Sequence, residues 1–498
     1  MTKVRTGNGV VRGCPTEGVV AFRGIPYAAA PTGADRFGPP RPAAAWDGEL
    51  DATRFGPTSP QPGTDLPGGL DLKAVVGPGW IEGEQSLTAN VWTPDPAAGG
   101  LPVMVFVHGG AFVGGAGCSA GYDGTRFAQD GVVLVTFNYR VGVAGYASLA
   151  GAPENRGLRD QIAALHWVRE NIAAFGGDPG KVTVFGESAG GMSVAALLAA
   201  APEGLMRRAV CQSGAGLGSL TGGQAGIVSR ALGELAGVAP DAASFAGLSD
   251  RDLVGAVLRL AAERPRLRVE GARDPLMGLS SFSTVIDGEL LRGQASDLVA
   301  AGAAAGVDLL VGANAHEMNL YAVALGGGAA VDEGALAAAA GAVHPDPGSL
   351  IAAYRSAGRG TSPAELLSAI GTDHVFGEPA RRLAEAHAPH PGGTWRYEFD
   401  WSSPAFDGRL GACHGLELPF VFDGVGRVDY GSLGVPDDES TRELARRTHR
   451  AWTAFATDGD PGWPRHTPER PLVQRIGADW ATTEHADGPE RALWHGVR

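Results

Sequence analysis

Short continuous apolar runs begin at Leu101 and recur down the chain. Val103–Val107, Val132–Phe137 and Val182–Phe185 each lack the alternation of a half-exposed strand, so each predicts a strand covered on both faces. Arg208–Cys211 and Leu309–Val311 read as further strands, and Trp395–Phe399 is strand-like. Between them Leu158, Ile162, Leu165, Val168 and Ile172 recur at spacings of three and four, the stripe of an amphipathic helix. Gly176-Gly177-Asp178-Pro179 is expected to end it. Met192–Ala200 reads as a helix of small residues. Strands alternating with helices predict an α/β fold: a mostly parallel sheet with helices on both faces. The first ninety residues are cut by Gly and Pro and read as hairpins and irregular loops. The regions around 214–280 and 321–390 are Ala-rich and mainly helical in pattern. Within the second, Gly326–Val343 is nearly pure Ala and Gly and is expected to be a mobile surface segment.

Composition narrows the function classes. The chain has 498 residues, 44% of them hydrophobic and 19% charged, which is ordinary globular chemistry. Its net charge of −14 repels nucleic acid phosphates and anionic headgroups, so no nucleic acid or membrane partner is expected. No apolar stretch reaches the ~18 residues of a membrane span, and no apolar leader is visible at Met1–Gly13. The four cysteines, Cys14, Cys118, Cys211 and Cys413, show no metal-type spacing. They are expected to be free thiols in a reducing, cytoplasmic setting.

Gly-x-Ser-x-Gly occurs twice, which a chain with 77 glycines makes unsurprising. Context separates the two. Gly186-Glu187-Ser188-Ala189-Gly190 follows the strand Val182–Phe185 and precedes a helical run, the strand–turn–helix of a nucleophile elbow. Side chains two before and two after the serine would collide in so tight a turn, and Gly186 and Gly190 remove them. Gly117-Cys118-Ser119-Ala120-Gly121 has neither strand nor helix beside it, so Ser119 reads as a turn serine. A serine nucleophile needs a base and an orienting acid. His414 lies between Gly411 and Gly415, after the strand-like Trp395–Phe399. Glu317 lies just past the carboxyl end of the strand Leu309–Val311, where such sheets place their sites. His108-Gly109-Gly110-Ala111 follows another strand and lets the backbone approach a carbonyl. Gly110 and Ala111 N–H, with Ala189 N–H, are candidate oxyanion donors. His108 precedes the elbow and sits on that donor loop, so it is not expected to be the base.

These segments resemble the type B carboxylesterases, the family of p-nitrobenzyl esterase-like enzymes and cholinesterases. Phe22–Ala28 with Arg36-Phe37, Leu87–Pro94, Asn138-Tyr139-Arg140, Gly157–Gln161 and Phe175–Pro179 stand in family order before the elbow. Gly312–Glu317, His414–Phe420, and Ala451-Trp452 through Gly459-Asp460-Pro461 follow it. The resemblance implies one α/β-hydrolase domain over 1–498 with helical insertions around 214–280 and 321–390. It implies Ser188, Glu317 and His414 as a triad, and Gly110, Ala111 and Ala189 as the oxyanion hole. The expected reaction is serine-dependent hydrolysis of small to medium acyl or aryl esters, with no cofactor or metal. Thioesterase, lactonase, amidase or acyltransferase chemistry on the same triad stays open, as does a cholinesterase-like binding protein without catalysis. Oligomeric state is not readable. An ordinary histidine base would lose activity below about pH 6–7. Two departures stand out. Ser86 occupies a position where many members have a disulfide cysteine, and Met318 follows the acid where the family usually has Gly.

Overall fold

Residues 101–107 show how the interior is divided. Val103, Val105 and Val107 pack into one hydrophobic core, while Met104 and Phe106 pack into a second on the opposite face of the sheet. Side chains alternate across a strand, so a run buried on both faces must be apolar throughout. The computed structural model describes residues 1–64, 70–269, 271–324, 331–484 and 488–497.

Strands β1 (Thr2–Thr6), β2 (Gly9–Thr16), β3 (Val19–Pro26), β4 (Glu49–Asp51) and β5 (Thr88–Thr93) make the amino-terminal part of the sheet. Then come β6 (Leu101–Val107), β7 (Val133–Phe137), β8 (Gly177–Glu187) and β9 (Arg208–Gln212). A small separate pair, β10 (Leu220–Thr221) and β11 (Val285–Ile286), precedes β12 (Asp308–Asn314), β13 (Thr394–Phe399), β14 (Leu472–Ile476) and β15 (Ala481–Glu484). The large sheet runs β1-β2-β3-β5-β7-β6-β8-β9-β12-β13-β14-β15, with β4 beside β2. From β7 to β14 every pairing is parallel. This mostly parallel, helix-covered sheet is the expected α/β architecture.

The amphipathic stripe forms the helix Arg156–Asn171. Its terminator is placed differently from expectation. A single 3-10 turn, Ile172–Phe175, leads to Gly176 at φ 87°, and Gly177 to Pro179 already belong to β8. The left-handed residue reverses the chain at Gly176, so the following residues are free to pair with β6. The first insertion holds the helices Gly222–Ala236, Ala242–Ala246 and Asp250–Glu263. The second holds Glu333–Val343, Pro347–Ser356, Pro363–Thr372 and Glu378–His387. Of the segment expected to be mobile, 326–330 lies outside the described residues. Glu333–Val343 is instead an ordered helix capped by the Asp332 side chain. Its Leu336, Ala340 and Val343 are buried in a small core with Trp494. Alanine favours helix strongly enough that one cap and one apolar stripe suffice.

The sequence blocks that stand far apart are hydrogen-bonded to one another. Tyr27 Oη donates to Asn138 O at 2.6 Å, and Asn90 Nδ2 to Thr136 Oγ1 at 3.0 Å. Arg140 grips buried Asp160 through Nε at 2.8 Å and Nη2 at 2.7 Å, and its Nη1 donates to Gly38 O at 2.7 Å. Deleting one member of such a pair leaves the other charge buried and unpaired. Asp160→Ala is therefore expected to cost about 3–5 kcal/mol of stability. Urea unfolding of the two proteins checks this; an unchanged midpoint would show that Arg140 finds another partner.

Candidate active site

The elbow forms as its glycines require. A Cβ on Gly190 would lie 2.0 Å from Val107 O, and one on Gly186 would lie 2.7 Å from the Gly190 carbonyl. Between them Ser188 adopts φ 59°, ψ −125° and donates its N–H to Gln212 O at 2.9 Å. A residue with a Cβ reaches this backbone region only under strain, and the β8–β9 pairing holds it there. The helix Ala189–Ala200 starts at the next residue.

The carboxyl ends of the parallel strands converge on Ser188. Its Oγ lies 2.7 Å from His414 Nε2, and His414 Nδ1 lies 2.7 Å from Glu317 Oε2. Glu317 is fully buried, and its other oxygen accepts Asn314 N–H at 2.7 Å. The loops carrying acid and histidine are stitched together. His316 N–H donates to Ala412 O at 3.0 Å, and His414 N–H to Glu317 O at 3.2 Å. Rings close over the imidazole: Phe376 at 4.7 Å and Tyr321 at 5.7 Å between centroids. The other motif serine is elsewhere in function. Ser119 is buried, and its hydroxyl is spent on the carbonyls of Lys73 and Ala74, at 3.1 and 2.9 Å, more than forty residues earlier in the chain.

The loop after β6 lies against Ser188. A Cβ on Gly109 would be 3.0 Å from Ser188 Cβ. Gly110, Ala111 and Phe112 all have positive φ, at 116°, 55° and 60°. Among the described residues the N–H groups of Gly110, Ala111 and Ala189 donate no hydrogen bond to the chain itself. His108 is fully buried, stacks on Tyr139 at 4.2 Å, and has its Nδ1 2.8 Å from Gly109 O. Burial pushes its pKa down to about 4, so it is neutral. Met318 packs against the helix Pro363–Thr372. Its side chain lies over Gly371, where a Cβ would come within 3.0 Å, so the missing side chain of Gly371 makes its seat. Met318 N–H donates to Thr372 Oγ1 at 3.1 Å.

Two buried carboxyl groups escaped the sequence reading. Among the described residues Glu187 Oε1 has no hydrogen-bond partner, and it lies 3.3 Å from His414 Nε2. Glu417 sits deeper, held by Asn314 Nδ2 at 2.7 Å and Gln212 Nε2 at 3.2 Å. Burial pushes both carboxyl groups above the usual carboxylate range, Glu187 up to about 8 and Glu417 up to about 7. Glu187 stands inside the elbow motif itself, and that adjacency was the available signal. For Glu417 there was none beyond its place three residues after His414.

His414 feels opposing forces. Burial disfavours its charged form, but the carboxylates of Glu187 and Glu317 outweigh burial and hold its pKa above that of a free imidazole. His414 and Glu187 titrate as a pair, and a base must be neutral to accept a proton. The acid limb of kcat/KM should therefore lie above pH 6.5, higher than an unperturbed histidine implies. Glu187→Gln keeps the shape and removes the charge, so it should move that limb to lower pH. An unmoved limb would show that Glu187 does not act on the base.

Comparisons with known proteins identify the family. The model of the Carboxylesterase family matches residues 1–338 and 349–490. The chain is 37% identical to the para-nitrobenzyl esterase of Bacillus subtilis, over 94% of this chain and 93% of that one. It is 34% identical to the fumonisin B1 esterase of Sphingopyxis macrogoltabida, over 92% and 84%. Among solved structures, a carboxylesterase of Geobacillus stearothermophilus superposes with a TM-score of 0.86 at 35% identity, covering 99% of this chain and all of that one.

Proposed function

The chain belongs to the carboxylesterase family and is a carboxylic ester hydrolase, and on that premise we propose that Ser188, His414 and Glu317 carry the reaction through an acyl-enzyme. The observation that carries this reading is the unbroken hydrogen-bonded line from Ser188 Oγ through His414 to Glu317, with both links at 2.7 Å. With its proton on Nδ1, facing Glu317, the imidazole presents a bare Nε2 to Ser188. Ser188 Oγ attacks the ester carbonyl as Nε2 takes its proton, and Glu317 stabilises the imidazolium. The N–H groups of Gly110, Ala111 and Ala189 receive the negative charge of the tetrahedral intermediate, each worth ~3 kcal/mol. The imidazolium then protonates the leaving alcohol. Water, activated by the same Nε2, attacks the acyl-enzyme and releases the acid.

The substrates are small-molecule esters of small to medium acyl or aryl groups. Apolar rings at Phe376 and Tyr321 flank the base and suit such groups. The chain works as one catalytic domain, because its reacting groups come from the ends of strands spread across one sheet. Four free thiols, two of them buried, suit a reducing compartment. Among the described residues no helix is long and apolar enough to cross a membrane.

A fluorophosphonate probe tests the nucleophile, with peptide mass spectrometry locating the adduct on Ser188. A chain-length series of p-nitrophenyl esters, run beside thioester, lactone and amide counterparts, tests the substrate class. Absence of both labelling and turnover would favour a binding protein. Faster turnover of a thioester or amide would move the assignment within the same machinery.

A further inference from the structure

Ala111 is a residue with a side chain held at φ 55°, between two other residues of positive φ. Left alone, its backbone would relax toward negative φ and re-aim the peptide units on either side of it. Because a peptide unit is planar, fixing a carbonyl oxygen fixes the N–H on the other side of the same unit. The loop uses this repeatedly. Gly109 O is met by His108 Nδ1 at 2.8 Å, and Gly110 O by the N–H groups of Val113 and Gly114, both at 3.0 Å. Phe112 O is met by Gly142 N–H at 2.7 Å. The remaining carbonyl, Ala111 O, accepts from Ser280 Oγ at 2.7 Å, across 169 residues of sequence.

We propose that Ser280 is a positioning residue that holds the oxyanion loop in its working conformation. The inference rests on the reading of Ala111 N–H as an oxyanion donor. Ser280 is buried, and its hydroxyl has a fixed orientation: the oxygen accepts Phe282 N–H at 3.0 Å, which leaves its proton for Ala111 O. Phe282 is itself locked in the main core. With Gly110 O and Ala111 O both pinned, the two peptide units flanking the Ala111 α-carbon cannot rotate. The device joins the end of the first helical insertion to the loop after β6. The insertion and the charge-stabilising loop are thereby registered to each other before any ester arrives, so no reorganisation is needed when the oxyanion forms.

Ser280→Ala deletes the donor at almost no cost in volume. Its expected effect is a fall in kcat of about fivefold to tenfold, the worth of one buried hydrogen bond in the transition state, with KM little changed. Affinity for a trifluoromethyl ketone, which places an oxyanion in the same donors, should fall by the same factor. Ser280→Thr keeps the hydroxyl and should restore both. Wild-type kcat and inhibitor affinity in Ser280→Ala would overturn the proposal, as would a threonine variant no better than alanine. A change in KM alone would also overturn it, because that is the mark of a pocket wall. Should the alanine protein not fold, Ser280→Cys, whose thiol is a weak donor, carries the same comparison. Ser188→Ala is assayed in parallel. If it still turns over ester, the underlying reading fails; if it is dead while Ser280→Ala is fully active, only the role of Ser280 fails.

Discussion

Ser188→Ala should lower kcat for a p-nitrophenyl ester by about a millionfold while the protein stays folded. The size follows from the way the three side chains act as a unit. Without Oγ there is no atom to attack the carbonyl, and His414 Nε2 loses its 2.7 Å partner. Residual rate can come only from the donors and from binding. The fold should survive because nothing else depends on that hydroxyl. Ser188 contributes its N–H to Gln212 O and its O to Met192 N–H, and alanine retains both. The assay is kcat with purified protein, alongside a thermal melt. Turnover near that of the parent, in a preparation free of other esterases, would overturn the assignment of Ser188.

Glu317→Gln should cost about 10⁴-fold in kcat, although the two side chains have the same shape. The reason lies in the partners of the two carboxylate oxygens. Oε1 accepts the N–H of Asn314, so in the variant the amide oxygen must stay there. The NH₂ then takes the place of Oε2 and faces His414 Nδ1. Nδ1 is forced to accept, its proton moves to Nε2, and the imidazole can no longer take the proton of Ser188. Neither Glu187 nor Glu417 can substitute, since neither touches Nδ1. The check is kcat together with the rate of fluorophosphonate labelling, which should fall in step. Labelling at the parent's rate would mean that the acid does not set the tautomer.

Much of this site was legible because its determinants are local. A strand followed by a tight turn leaves no room for side chains at positions 186 and 190, and that exclusion is written into five consecutive residues. The donor loop and the acid loop are likewise short segments placed directly after apolar strand runs. Helix ends were less legible. Gly176 terminates the helical run, but Gly177 already starts β8 because it pairs with Leu101 of β6, a partner 76 residues earlier in the chain. The Ala/Gly-rich segment misled for the opposite reason: its composition suggests mobility, yet burial against Trp494 orders Glu333–Val343.

By itself, then, the sequence determined the α/β alternation, the elbow and the residue types able to do acyl-transfer chemistry. Those depend on backbone sterics and hydrophobic period, which act over a few residues. Tertiary structure alone decided that Ser188, His414 and Glu317 meet, across separations of 226 and 97 residues. It also decided that Glu187 and Glu417 surround them as buried acids, that Gly371 seats Met318, and that Ser280 reaches Ala111. Hydrogen bonds and charge–charge coupling act over a few ångströms, and only the folded sheet sets which residues lie within that distance.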